Sequence, residues 1–350
     1  MPILTLLFIA ASLYAQRKDA AAPAFVEAET ARLAFHVSPA SAKVEEAVDA
    51  LRKLAGKARI VKVRAFVAAG PNRDNDAGPV AGLIARRFAE RHAPVPVISV
   101  IRVARFMDPA VRVALESVEE ASDPRNPAGL VFISGQATQG PLGAGGASAP
   151  LAPFTEKSVS NLKAALSGLD LAPEDVLRVT CFTSSLDEGV KVHGLVAAAF
   201  IHAAIDLMQA ASMPANSVVE CEAVARLKVK PAEPVFLVNP TGAAFAQAVV
   251  VSTPRMLFTT VAGGSGAGDA AVREAFEGLK GVLASAGSSL DRVFYVYAYP
   301  AGAGMLQKYR DLRWDYLDKK RAPASTNLPF DGVADRNAGI GMEVIAAGRS

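Results

Sequence analysis

The chain is poor in the residues that most often build metal centres: of its 350 residues only two are cysteine and four are histidine. His36, His92, His193 and His202 lie too far apart in pattern to form a ligand set. So few thiols and imidazoles exclude a Cys/His zinc module and a disulfide-dense scaffold. Charge of one sign is also lacking. The 37 Lys and Arg nearly balance 34 Asp and Glu, leaving +3, too little to argue for nucleic acid as a partner. Beyond the N-terminus no run is long and apolar enough for a membrane helix. Two Gly-rich stretches, Ser134 to Pro150 and Gly263 to Gly268, lack the Lys-Ser/Thr ending of a phosphate loop and read as loops.

What is present is apolar residues, 51% of the chain, enough for sizeable cores. The run MPILTLLFIAASLYA (1–15) has the length of a signal-peptide core and is too short to span a bilayer. Cleavage after Ala15 would leave an exported protein with no membrane association; the alternative is an apolar N-terminal strand. Cys181 and Cys221 fall in predicted strands and read as two buried, inert thiols, with a disulfide as the alternative in an exported protein.

Periodicity divides the chain into three segments of one order: strand, helix, strand, helix, strands. In the first (25–122), ARLAFHVSP is followed by a stripe of Val44, Ala47, Val48, Leu51 and Leu54. ARIVKVRAFVAAG, a second helix, and two strands then follow. In the second (128–240) the stripes are Val159, Leu162, Leu166, Leu169 and then Leu195, Ala199, Phe200, Ala203, Leu207. In the third (246–348) they are Val272, Phe276, Leu279, Leu283 and then Met305, Tyr309, Leu312, Tyr316. Phe294, Tyr295, Tyr297 and Tyr299 alternate as a strand does. The punctuation repeats too. APVP, MPANS and APAST sit at matching points, with Pro94, Pro214 and Pro323 spaced by 120 and 109 residues. Gly56, Gly168 and Gly287, closing the first helices, are 112 and 119 apart. Such a period is domain-sized. Asp123 to Ala128 and Lys230 to Gly242 read as linkers.

The middle segment resembles the RidA/YjgF family of imine deaminases, also called endoribonuclease L-PSP. The likeness rests on GLVFISGQ, NLKAALSGLDLAPEDVLRVTCF, PANSVVE and VARL. The third segment resembles it through AFEGLKGVLASAGSSLDRVFYVYAY, PAST and GMEVIAA, and the first through its order of elements. The resemblance implies an α+β fold: three tandem, chorismate-mutase-like domains, each a mixed sheet with two helices on one face. Family members assemble as trimers, so three tethered copies imply a single-chain pseudo-trimer, a monomer with small-molecule clefts between repeats.

The resemblance also implies a chemistry without metal or organic cofactor. An arginine in P-A-R holds the carboxylate of an imino acid, and a closing-strand glutamate positions the attacking water. The arginine position holds Pro96, Asn216 and Ser325, leaving Asn216 and Ser325 as neutral ligand-binding candidates. Arg105, Arg226 and Arg336 are candidate replacements, more simply read as solvent-facing. Glu343 and Glu116 match the glutamate. In the middle segment two alignments stand: VVECEAVA closes the sheet with Glu222 as the acid, or PVFLVNP closes it with none. The second is preferred on length. Ser134, Gly135 and Gln136 are the remaining cleft candidates. Two functions follow: a C–N hydrolase acting on imines or enamines, or a binding scaffold that kept the clefts without the chemistry.

Overall fold

The computed structural model describes residues 21–69, 77–139, 149–212, 218–238 and 246–349. The predicted signal segment, Asn216 and most of the first Gly-rich stretch lie outside the described residues. Three sheets carry the fold. The first joins β2 (Leu33–Val37), β5 (Val113–Glu120), β3 (Arg59–Ala68) and β4 (Val97–Val103), in that order. The second runs β10 (Val235–Val238), β11 (Ala246–Val251), β6 (Leu130–Gln139), β9 (Val218–Arg226), β7 (Val176–Thr183) and β8 (Ala204–Gln209). The third runs β1 (Phe25–Glu29), β12 (Arg255–Thr259), β16 (Ala338–Ala347), β14 (Val293–Pro300) and β15 (Ala324–Asn327), with β13 (Ala262–Ser265) also on β16.

Among the described residues six α-helices cover the outer faces in pairs: α1 (Val44–Ala55) and α2 (Gly78–Glu90), α3 (Ala152–Ser167) and α4 (Gly189–Ala199), α5 (Asp269–Ser285) and α6 (Ala303–Leu312). Each pair buries an apolar stripe on its own sheet. Ala47, Val48 and Leu51 of α1, for example, pack with Val63, Ala65 and Leu115. Gly56 ends α1 at φ +60°, a conformation that disfavours any side chain. Because side chains alternate across a strand, the opposite faces of all three sheets are also committed. Their apolar residues form one shared interior, with Phe66 and Val103 from the first sheet, Phe132 and Phe182 from the second, and Phe258 and Tyr299 from the third.

The three sheets share a registration. In each, the central antiparallel pair carries a slip of one residue at the same place: Ile60/Lys62, Val176/Arg178 and Val293/Tyr295. Beyond it, Arg64 faces Glu116, Thr180 faces Glu222 and Tyr297 faces Glu343. The last strand of each order, β4, β8 or β15, is parallel to its neighbour, setting Ser99, Asp206 and Thr326 beside those three positions.

Several sequence expectations change. Ala203 and Leu207 keep a helical spacing with Leu195, yet α4 stops at Ala199 and 204–209 is strand β8. There Ile205 and Leu207 face the helices while Asp206 and Met208 face the interior, a period of two. VVECEAVAR is therefore the closing strand, and the preferred alignment ending on PVFLVNP is wrong. MPANS (213–217) lies outside the described residues, while APAST runs into strand β15. Part of the linker Lys230 to Gly242 is strand β10, and Gly263 to Ser265 is strand β13. Strand β1 pairs with β12 of the third segment and β11 with β6 of the second, so neighbouring segments exchange strands. Cys181 and Cys221 are not free thiols but a disulfide, since they face each other in register on β7 and β9 with Cα atoms 4.1 Å apart.

Candidate active site

Where the three inner faces meet, charges are buried in a closed network. Glu116, Glu222 and Glu343 occupy equivalent positions on β5, β9 and β16, and none is more than 4% exposed. Arg64 donates through Nε (2.8 Å) and Nη2 (2.5 Å) to Glu116, and through Nη2 to Glu222 at 2.8 Å. Arg178 lies 3.5 Å from Glu116. Lys62 and Ser99 both donate to Glu343, whose other oxygen accepts from the Tyr299 hydroxyl at 2.7 Å. Thr326 donates to Glu222. Burial alone would raise the Glu116 and Glu343 carboxyls, but Arg178 and Arg64 bring Glu116 below its ordinary range, and Lys62 and Arg64 do the same for Glu343. Three carboxylates meet three cations, so the interior closes neutral.

The network has one odd member. Ser99 of the first sheet donates to Glu343 of the third, and Thr326 of the third donates to Glu222 of the second. The same turn of the cycle aims Asp206 of the second at Glu116 of the first. Burial, then Glu116, pushes the Asp206 carboxyl up to about 8. Unlike Ser99 and Thr326 it makes no side-chain bond to the neighbouring glutamate: its Oδ2 is buried without a hydrogen-bond partner, and the hydroxyl donating to Glu116 is that of Thr180. Because its folded pKa is raised, Asp206 favours folding fully only below its unfolded value near 3.9, and that contribution is lost as pH rises to about 8. Asp206→Asn keeps a donor and removes the titration. Its stability relative to the parent is expected to grow as pH rises from about 4 to about 8, on the order of 1.4 kcal/mol per unit, and to be flat above. A pH-independent difference in urea midpoint would refute this.

The open site lies beside the network. A cavity of about 430 Å³ opens where the strand ends converge, lined chiefly by the second and third segments. That volume suits a small molecule. Glu220 of β9 forms its polar floor, two residues along the strand from Glu222 and on the same face. Glu220 is only 5% exposed, and burial, with the Glu222 charge adding to it, lifts its carboxyl to about 7. The Asn327 backbone N–H donates to it at 3.4 Å. The Asn327 side chain in turn accepts from Arg310 Nε at 3.3 Å, which sets a guanidinium in the same cavity lining. Arg102 of β4 also lines the cavity, and Leu306, Leu328 and Phe330 supply apolar walls. Ser212 and Asp331 join across the lining, the serine N–H and hydroxyl both donating to the carboxylate, at 3.1 and 2.5 Å. A carboxyl that titrates near neutrality in a partly apolar cleft is equipped for general acid–base work.

The predicted residues fall elsewhere. Glu343 and Glu116 lie in the buried network, their oxygens taken by cations and hydroxyls, and border a separate cavity of only about 20 Å³ with Lys62, Arg64 and Arg178. Ser325 is 2% exposed; its hydroxyl donates to Val296 O and its N–H to Ser134 Oγ. Ser134 donates to Ala246 O, and the Gln136 amide donates to Ser134 O. Gly135 does reach the site from behind. A Cβ there would stand 2.0 Å from Glu220 Oε1, so a side chain at 135 would displace this carboxylate. By register, Ile98 and Ile205 hold the place of Ser325 in the other sheets, and Pro96 precedes β4. Arg105 pairs with Asp187 at the surface, Arg226 donates to Glu174 O, and Arg336 is exposed. Glu220 and Arg310 were missed by sequence reasoning. The available signal was the ECE repeat, which puts two carboxylates on one strand face. Among the described residues no group of three or more His, Cys, Asp or Glu is placed to hold a metal.

No family model matches this sequence, and no curated protein matches it. Solved structures match parts of it. One is a putative endoribonuclease from Thermotoga maritima, 30% identical, spanning 31% of this chain and 90% of that one, with TM-score 0.24. Another is a member of the YjgF protein family from Neisseria meningitidis, 16% identical over 34% and 97%, TM-score 0.26. A third is E. coli TdcF with bound serine, 24% identical over 30% and 83%, TM-score 0.24.

Proposed function

We propose that the chain is three tandem RidA/YjgF-like units closed into a single-chain ring, and that it hydrolyses small imines or enamines in the cleft bordered by Glu220 and Arg310. The recurring order of elements, the shared one-residue slip and the equivalent glutamates support the triplication. A ring closed by its own segments, with β1 on the third sheet, needs no partner chain to cover its inner faces. The Cys181–Cys221 disulfide fits an oxidising compartment and hence export, with the 1–15 run as leader.

One observation carries the hydrolase reading: a buried carboxyl poised near pH 7 in an open cleft, with a guanidinium in the same lining. Arg310 takes the substrate carboxylate in the role that the missing P-A-R arginine leaves vacant. The Glu220 carboxylate removes a proton from water as the water oxygen bonds to the imine carbon, and the C=N electron pair moves to nitrogen. That nitrogen takes up the proton. The carbinolamine then collapses: Glu220 takes the hydroxyl proton and returns it to the nitrogen as the carbonyl forms and the C–N bond breaks, so imine and water give ketone and ammonia. As a base, Glu220 is active when ionised, and the rate should rise as pH passes about 7. The test is ammonia release from freshly generated iminopropionate. Glu220→Gln should lower it at least about 100-fold with the fold intact by circular dichroism.

The binding-scaffold reading keeps one observation in its favour: Ile98, Ile205 and Ser325 put no arginine at the equivalent strand position in any sheet. Release no faster than the uncatalysed rate, in the parent as in the variant, decides for it.

A further inference from the structure

The register that aligns the three sheets also shows that they are not functionally equal, and on the hydrolase reading above we infer that only one of the three inter-segment sites takes a ligand, the one containing Glu220. Position by position, Glu220 faces Phe182 on β7, as Ala114 faces Phe66 on β3 and Gly341 faces Tyr299 on β14. These are the same place in three sheets, and a carboxylate stands in one. Ala114 brings no acid or base. Gly341 brings none either, and its surroundings are filled. A Cβ there would meet Val333 Cγ1 at 2.4 Å and Val261 Cγ1 at 2.7 Å, so two valines occupy the space that a carboxylate takes at Glu220. The chain around Val333 is also sealed against the first sheet. Arg102 N–H donates to Gly332 O at 2.8 Å and Ala334 N–H to Val100 O at 3.2 Å, with Ile101 and Val333 in a bridge. The first and second segments close in the same manner. Ala104 N–H donates to Gln209 O at 2.9 Å, Gln209 N–H donates to Arg105 O at 3.1 Å, and the Arg105 side chain seals the edge on Gln209 and Asp187.

To the Glu220 site the third segment contributes Arg310, linked to Glu220 through Asn327. Among the described residues, acid–base group and cation thus coincide at one of the three equivalent places. The ligand is a small molecule with one carboxylate for Arg310 and a planar sp² carbon over Glu220, the shape shared by a 2-imino acid and its stable 2-oxo analogue. A homotrimer of one repeat would carry three such sites; in this chain one of the other two is filled by Val333 and Val261, and the other is closed along the Arg105–Gln209–Asp187 edge.

Calorimetric titration of the full chain with pyruvate, the oxo analogue of iminopropionate, reads this directly. The expected result is one pyruvate per chain, weakened at least tenfold in Glu220→Gln and in the exposed-side variant Arg310→Met, and unchanged in stoichiometry in Val333→Ala. Arg310 is exposed, so its variant keeps the test valid if the buried Glu220 change disturbs folding. A stoichiometry of two or three with ammonia release intact overturns the single-site inference and leaves the hydrolase reading standing. One pyruvate bound with full affinity in both variants places it elsewhere and overturns the inference. Absence of both pyruvate heat and ammonia release overturns the two together.

Discussion

Arg64→Leu is expected to lower the unfolding free energy by about 3–5 kcal/mol, the cost of leaving buried charge uncompensated. Arg64 is 3% exposed, and its guanidinium satisfies Glu116 of its own sheet and Glu222 of the second while stacking 4.2 Å over the Tyr297 ring of the third. An intact buried ion pair often contributes little net stability, because desolvation offsets the attraction. Removal of one partner is another matter. Glu116 would keep Arg178 at 3.5 Å and the Thr180 hydroxyl, but Glu222 would retain only hydroxyl donors. The variant must then either bury an unpaired carboxylate or protonate it, and both penalise the folded state. Arg64→Lys keeps the charge yet cannot bridge two carboxylates as the guanidinium fork does, so an intermediate loss is expected. Urea unfolding at pH 7 measures all three proteins. A loss under about 1 kcal/mol for Arg64→Leu would mean that water already reaches this network. In that case the three sheets are not held as one dry interior.

The same network explains how far the sequence could be read. Strands and helices with a clean period were legible: the stripes on α1, α3 and α5, and the alternation of β3 and β14, lie where the periodicity puts them. Strand β8 was not, because Ala199, Ala203 and Leu207 keep a four-residue spacing, and only parallel pairing with β7 decides between the two patterns. Exchange of β1 and β11 between sheets was invisible for a similar reason, since partner choice is a tertiary property that a local pattern does not encode. The glutamates show the limit most clearly. Glu116 and Glu343 carry the family-like pattern, yet strand register carries them to the centre, where they meet Arg64, Arg178 and Lys62. Glu220 and Glu222 are two residues apart on one face of one strand. Nothing in the letters ECE says that the second is sealed while the first borders a cavity; depth along the strand decides it.

Loss of the Cys181–Cys221 link is expected to remove about 4 kcal/mol, the chain-entropy value for a closed loop of 40 residues. The two sulfurs sit on the helix-facing side of β7 and β9, packed with Val131, Leu162 and Val196, while their neighbours Glu220 and Glu222 face the interior. Two contributions can therefore be separated. Unfolding the parent protein in dithiothreitol breaks the cross-link but keeps two thiols of nearly the same volume in the core, so it reports the constraint on the unfolded chain. Unfolding the Cys181→Ala/Cys221→Ala protein in the same reductant reports the additional packing lost with the sulfurs, on the order of 1–2 kcal/mol for two small buried groups. Because both residues are fully buried, the reductant should act only as the chain opens, so reduction under native conditions should be slow and track the unfolding rate. Equal urea midpoints for the parent with and without reductant would mean that the cysteines are unlinked, packed thiols. The two strands bearing Glu220 and the axial residues would then be held by hydrogen bonds and packing alone, and the disulfide would no longer support export.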